Sequence, residues 1–390
     1  MTFVVVGGGL AGAKAVETLR AEGYAGAITL IGAESDLPYE RPPLSKGLLL
    51  GKDAPDSVFV HTAEWYAEHT VTLRTGTTVT GLDPAAKVVR LADGEEIGYE
   101  KLLLATGSSA RPLPGALTLR TLADSHRLAD VVVADARVVI IGAGWIGLEV
   151  AAFARSRGAS VTVVGSPLAF LGDEIAGVFA DLHRANGVTL HPGAHAVAVE
   201  GDTVRLADGT SLPADLVIAG IGVTPNVSLA AEAGLAVDDG VLVDHRLATS
   251  DPDIFAAGDI ANVDHPLLKH RIRVEHWATA LNSGPAAAKA MLGQDVSYDK
   301  LPYFFTDQYD LGMEYIGWVR PGTTPSIVVR GDLTAREFIA FWLVDGRVVA
   351  GMNVNIWDVQ EPIEALIRSG AVVDPARLAD PAVELSDLTG

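Results

Sequence analysis

The 390-residue sequence contains no cysteine. Disulfides, thiolate nucleophiles, cysteine-held zinc and iron–sulfur clusters ligated by this chain are therefore excluded. Basic residues are scarce as well: 29 Lys and Arg stand against 49 Asp and Glu, a formal charge of −20. With no long basic run, nucleic acid is not an expected partner. The longest apolar run, Val138 to Leu148 with its glycines, falls well short of the roughly 20 residues that a membrane helix needs. The N-terminal apolar run has no basic segment ahead of it and breaks at Gly7, unlike a secretory signal. A cytoplasmic protein without membrane attachment is the expectation. No GxSxG elbow is present, which removes the usual hydrolase signal. His191 and His195 in HPGAH are divided by a helix-breaking Pro-Gly and joined by no carboxylate pattern, so no metal site is expected.

Glycine, in contrast, is abundant and patterned. The chain opens MTFVVVGGGLAGAKA and later reads RVVIIGAGWIGLEVA. In each stretch a short β-branched run meets glycines and then a helical pattern, and a second apolar run follows (Ala27–Ile31 and Ser160–Val164). These are two β-α-β units. The first glycine lets the chain bend sharply, the second lets backbone approach a pyrophosphate, and the third lets helix pack on strand. The sets are Gly7, Gly9, Gly12 and Gly142, Gly144, Gly147. A lone set is weak evidence, but two in matching contexts make coincidence improbable. The duplication extends further: KVVRLADGEEIGYEKLLLATG after the first unit is echoed by TVRLADGTSLPADLVIAGIG after the second. Ala105-Thr106-Gly107 thereby corresponds to Ala219-Gly220-Ile221-Gly222. Alternating stretches such as Ser326–Val329 and Phe338–Val344 predict an antiparallel C-terminal sheet. The fold class is α/β, with two Rossmann-like dinucleotide-binding domains and a C-terminal α+β domain.

An acidic residue at the end of the second strand, roughly 20 residues beyond the last glycine, would hold ribose hydroxyls. Glu34 fits in the first unit. In the second, Val163-Val164-Gly165-Ser166 offers neither a carboxylate nor an arginine, so NADH and NADPH both remain open, with NADH preferred.

PYERPPLSKGLLLG (Pro38 to Gly51), LLLATGS, IFAAGDIAN, VEHWATA and YFFTDQYDLGMEYIGW together resemble the FAD-dependent ferredoxin reductases, the group containing putidaredoxin and rubredoxin reductases. The resemblance covers nearly the whole chain. It implies a glutathione-reductase-like fold without the redox disulfide: an FAD domain from residues 1–108 and 231–306, an NAD(P) domain from 109–230, and an interface domain from 307–390. It implies FAD contacts from Gly7, Gly9, Ala11, Gly12, Glu34, Arg41, Lys46, Val79, Ala105, Thr106, Gly107, Arg120, Gly258, Asp259, Glu275, His276 and Trp277. Nicotinamide contacts fall to Gly142, Gly144, Ile146, Gly147, Glu149 and Gly222. The catalytic pair is Lys46 and Glu149.

Simpler roles exist for several of these. Asp259 also suits a cap of the next helix. Arg41 also suits an ion pair with Glu40 or another local acid. Glu149 is expected in the first turn of its helix, where a carboxylate is favourable whatever the function. Lys46 would place a positive charge near the reduced, anionic flavin.

The resemblance implies hydride transfer from NAD(P)H to FAD. Without a cysteine to receive the pair, the electrons would leave singly for a ferredoxin that serves a cytochrome P450 or ring-hydroxylating oxygenase. Such ferredoxins are usually acidic, and so is this chain. Lys269, Arg271 and Arg273, with His270, form a local basic cluster that would steer one to the right face. An NAD(P)H oxidase using oxygen and a non-catalytic flavoprotein are the alternatives.

Overall fold

A computed structural model describes residues 2–388. Elements are numbered in chain order. They begin with β1 (Thr2–Val6), α1 (Leu10–Ala21), β2 (Ala27–Ile31), β3 (Val71–Arg74) and β4 (Lys101–Leu104). Then come β5 (Arg137–Ile141), α2 (Trp145–Ser156), β6 (Ser160–Val164), α3 (Asp173–Ala185), β7 (Thr189–His191) and β8 (Leu216–Ala219). β9 (Ile254–Ala256) and α4 (Trp277–Met291) follow. The C-terminal strands are β10 (Tyr303–Gln308), β11 (Leu311–Gly317), β12 (Ser326–Asp332), β13 (Glu337–Val344) and β14 (Arg347–Val354).

The chain forms two compact units. One takes the chain up to Glu40, Pro55–Ser109 and Val223–Pro302; the other takes Arg41–Ala54, Ala110–Gly222 and the chain from Tyr303 on. The first unit is built on a parallel sheet of order β9-β4-β1-β2-β3. Its central strand is nearly continuous apolar sequence, and Val4 and Val5 are fully buried, as expected where helices cover both faces of a parallel sheet. α1 crosses α4 where Gly284 meets the backbone of Ala11; a Cβ on Gly284 would lie 2.3 Å from the Ala11 carbonyl oxygen.

The second unit repeats the plan with a parallel sheet of order β7-β6-β5-β8 and adds the antiparallel sheet β10-β11-β14-β13-β12. Trp342, Phe338 and Phe341 of β13 are buried, and the inward residues of this sheet share one core with Leu148, Phe153 and Phe179 from α2 and α3.

The duplication read from sequence holds at the level of hydrogen bonds. Each unit has a three-stranded antiparallel meander, Val79–Asp83, Val88–Leu91, Glu96–Gly98 in one and Ala196–Glu200, Thr203–Leu206, Ser211–Pro213 in the other. The turn at Asp93-Gly94 closes with Leu91 N–H on Glu95 O at 2.8 Å, and its copy closes with Leu206 N–H on Thr210 O at 2.8 Å.

Glycines here divide into those that cannot carry a side chain and those that can. A Cβ on Gly12 would sit 2.1 Å from the Gly7 carbonyl oxygen, whereas Gly177, inside α3, has nothing within 4 Å. Gly12→Ala is expected to destabilise by at least about 1–3 kcal/mol through forced displacement of α1. Gly177→Ala should stabilise by about 0.5–1 kcal/mol through helix propensity. Denaturant unfolding of the two variants checks both signs.

Candidate functional site

The first unit carries the first glycine turn. Gly7 adopts φ +126° with its N–H on Ile31 O at 2.8 Å, and a Cβ there would lie 2.0 Å from the Ala105 carbonyl oxygen. The turn delivers Gly9 as the N-cap of α1, with φ −90° and ψ −173° and no side-chain cap. In the second unit Gly142 adopts φ +103°, its N–H meets Val164 O at 3.0 Å, and a Cβ would fall 2.3 Å from Gly220 O. Gly144 caps α2 with φ −80° and ψ −174°, again without a side-chain cap. Around Gly9 and Gly144 a Cβ would meet nothing within 4 Å. Both turns thus present first-turn N–H groups, with a helix dipole behind them, to open space, which is the environment an anionic pyrophosphate takes. The residues present fit two dinucleotides.

Several expected FAD contacts lie in the first unit. Glu34 follows β2 and accepts a hydrogen bond from the Tyr39 hydroxyl. Sequence reasoning missed Tyr39, although it stands within the quoted PYERPP stretch. Asp259 is 8% exposed and lies in a short 3₁₀ turn, Gly258–Ile260. Ala11 packs its Cβ on Gly258, and half-buried Val79 packs against the core of this unit. Thr106 and Gly107 are held by Asn226, another missed residue: its side-chain amide donates to Thr106 O, Thr106 Oγ1 donates to Asn226 O, and its backbone N–H donates to Gly107 O, each at 2.9 Å. Trp277 starts α4, and its indole N–H donates to Glu40 at 3.2 Å. His276 is the N-cap of α4. Burial pushes its pKa down to about 4, although the charge of Asp259 pulls the other way.

The second unit gathers Lys46 and Glu149, the pair expected to be catalytic. Pro42–Ser45 forms a 3₁₀ turn that ends at Lys46, and the Ser125 hydroxyl anchors it by donating to Leu44 O at 2.9 Å. Lys46 Nζ lies 2.8 Å from Glu149 Oε1 and 5.1 Å from the centroid of Phe305. The Ser45 hydroxyl donates to Glu149 Oε2, and the Thr306 hydroxyl donates to Oε1. Glu149 is 3% exposed. A carboxylate so buried is stable only when its charge is matched, and here one ammonium and two hydroxyls converge on it. The sequence did not disclose Ser45 and Thr306 as partners. Glu149 also corrects its expected place: the first turn of α2 contains no acid, and Glu149 sits one turn further in. The helix dipole is weak there, so Lys46 and the hydroxyls hold the charge.

The register of α2 on β10 explains the meeting. Four helical residues rise about 6 Å and two strand residues about 6.6 Å. Trp145 accordingly meets Phe304, with centroids 4.7 Å apart, and one step along, Glu149 meets Thr306. Ile146 is 44% exposed beside them in sequence. Gly222 takes φ +93°. Arg41 donates to the carbonyl of Arg120. At the end of β6, Ser166 Oγ accepts from Gly193 N–H at 2.9 Å.

The basic cluster is reshaped. Arg273 is pinned between Asp239 at 3.0 Å and Glu275 at 2.6 Å, with its side chain 10% exposed. Its charge is matched by these two carboxylates. Arg271 lies at the surface but donates to Val243 O and Asn262 O. Lys269 is exposed. Among the described residues no group of His, Asp and Glu could hold a metal ion, and no helix is long and apolar enough to cross a membrane.

Two glycine cradles of one design and a buried lysine–carboxylate pair define a pyridine-nucleotide oxidoreductase. Residues 1–284 match the pyridine nucleotide-disulphide oxidoreductase family, residues 303–389 match the reductase C-terminal family, and the chain belongs to the first of these. It is 41% identical to the ferredoxin--NAD(+) reductase component of an anthranilate 1,2-dioxygenase system from Burkholderia cepacia, over 98% of both chains. It is 37% identical to putidaredoxin reductase from Pseudomonas putida, over 99% of this chain and 96% of the relative. In a crystal structure of the covalent putidaredoxin reductase–putidaredoxin complex, the matching chain superposes with a TM-score of 0.94 at 36% identity, over 99% of this chain and 97% of that one.

The depressed value of His276 has a consequence for stability. As pH falls, the unfolded chain, near the ordinary 6.5, takes up a proton that the folded chain refuses, so the folded state loses stability on acidification from about 6.5 towards 4. Burial lowers the pKa of His183 in the same sense. Chemical denaturation between pH 7 and 5 is expected to show this loss, and His276→Gln to flatten it.

Proposed function

We propose that the protein is an FAD-dependent NAD(P)H:ferredoxin oxidoreductase that supplies single electrons to a ferredoxin serving an oxygenase or a cytochrome P450. The observation that carries this reading is the pair of uncapped glycine turns with matching dihedrals, one in each unit, in a chain that has no cysteine to receive electrons. Its relatives named as ferredoxin reductases of oxygenase systems support the same reading.

The three-domain division expected from sequence is kept within this proposal, with Gly7, Gly9, Gly12 and Glu34 holding the adenosine diphosphate part of FAD and Asp259 its ribityl chain. Gly142, Gly144 and Gly147 hold the pyrophosphate of the nicotinamide dinucleotide. When bound, FAD supplies the ring chemistry that accepts a hydride and releases electrons one at a time. Lys46 contributes a fixed positive charge to the ring side of the reaction, and Glu149 keeps that ammonium in place and accepts from the nicotinamide amide. His276, held neutral, adds no second charge at neutral pH. NADH is the preferred donor: the loop after β6 has no arginine to meet a 2′-phosphate, and two relatives bear NAD(+) in their names.

The test is anaerobic mixing of the yellow protein with each reduced nicotinamide, then with a [2Fe–2S] ferredoxin. The flavin absorption is expected to bleach faster with NADH than with NADPH, and the ferredoxin to be reduced in turn. A colourless protein that takes up no FAD, or rapid turnover in air without ferredoxin, would overturn the proposal. For docking, Lys269→Glu is expected to raise KM for an acidic ferredoxin about two- to tenfold, more so at low salt, while ferricyanide reduction stays unchanged. Equal effects on both acceptors would remove Lys269 from the docking surface.

A further inference from the structure

β10 carries polar groups that the proposed reaction leaves unused. Thr306, Gln308 and, on α3, His183 are 0%, 1% and 0% exposed. His183 Nε2 lies 2.9 Å from Gln308 Oε1, Gln308 Nε2 donates to Thr306 Oγ1 at 3.2 Å, and the Thr306 hydroxyl donates to Glu149. An amide oxygen only accepts, so His183 Nε2 carries the hydrogen. The rest of the ring agrees: His183 Nδ1 is buried with no hydrogen-bond partner, and a bare ring nitrogen is better tolerated there than an orphaned N–H. His183 thereby fixes the amide, the amide turns its NH₂ to Thr306, and the Thr306 oxygen, already accepting, turns its own hydrogen to Glu149. The chain of donors has one direction, from His183 to the carboxylate.

We propose that Thr306 is a positioning residue for hydride transfer, holding Glu149 against Lys46, and that Gln308 and His183 set the direction of its hydroxyl. This rests on the role given above to Lys46 and Glu149. One strand then controls the lysine from two sides, through the Phe305 ring and through Thr306 acting on its counter-ion.

Three substitutions separate direction from shape. Thr306→Val deletes the hydroxyl at nearly constant volume. Gln308→Glu keeps the outline but, when ionised, offers Thr306 only an acceptor, so the hydroxyl hydrogen turns away from Glu149. Thr306→Ser keeps the donor. In FAD-loaded protein, the single-turnover rate of reduction by nicotinamide is expected to fall about tenfold or more in Thr306→Val and Gln308→Glu, the scale of a lost hydrogen bond to a charged group. Nicotinamide Kd should change less than about twofold in both, and Thr306→Ser should retain most of the rate.

A second readout is independent of turnover. Acetylation of Lys46 by acetic anhydride, followed by mass spectrometry on the protein as purified, should accelerate several-fold in the two disruptive variants and not in Thr306→Ser, because a side-chain nitrogen held against a fixed carboxylate is less free to meet the reagent. Unchanged Lys46 acetylation in both disruptive variants overturns the proposal, and so does equal acceleration in Thr306→Ser. If Thr306→Val fails to fold, Gln308→Glu decides alone. Acetylation that rises as expected, in a protein whose flavin is not reduced by any nicotinamide, upholds the hydrogen-bond chain and defeats the reductase reading instead.

Discussion

The architecture depends on a backbone contact that tolerates no side chain. At Gly7 and Gly142 a carbonyl oxygen from the neighbouring strand occupies the place a Cβ would take, at 2.0 and 2.3 Å. That approach fixes where each helix starts relative to its sheet, and its glycine N-cap offers the first-turn N–H groups no side chain. The helices that follow inherit their tilt from it, and so do the residues they carry, Glu149 among them. The glycines act less by flexibility than by absence of volume.

Upon this frame the second unit places a buried charge. The Glu149 carboxylate is tolerable only because Lys46, Ser45 and Thr306 reach it from three directions. Removing one partner from such a pair commonly costs about 3–5 kcal/mol. The segment that provides Lys46 and Ser45 groups with the second unit, although it sits in the chain between β2 and β3 of the first. The excursion of a short Pro-Pro-Leu-Ser turn thus supplies half of the charge balance. Its two prolines limit the backbone freedom lost on ordering it.

Much of the fold was legible because its signals are local. β-branched runs, glycine spacing and two Asp-Gly hairpins announced both parallel sheets and their meanders, and alternation along Phe338–Val344 announced the C-terminal sheet. The pairing of Lys46 with Glu149 was legible only through family resemblance. Their other partners were hidden by distance in sequence: Ser45 stands 104 residues from Glu149 and Thr306 stands 157 residues from it, and no periodicity links a hydroxyl to a carboxylate across such gaps. The ion pairs of Arg273 were hidden for a related reason. A run of basic residues shows charge, but not that Asp239, on a turn far upstream, neutralises one of them. Glu149 was displaced by a single turn because the glycine motif fixes the start of the helix and not which of its turns faces β10.

The two copies of the glycine helix are roofed differently. α1 lies under another helix, where Gly284 rests on the Ala11 backbone and no polar group could be inserted. α2 lies under a strand that sets a ring on Trp145 and, one turn on, a hydroxyl on Glu149, with an amide behind the hydroxyl. Duplication therefore yielded one copy whose cover is sealed and another whose cover is writable. Change along that strand can retune the chemistry beneath it while the phosphate cradle, set by backbone alone, stays as it was.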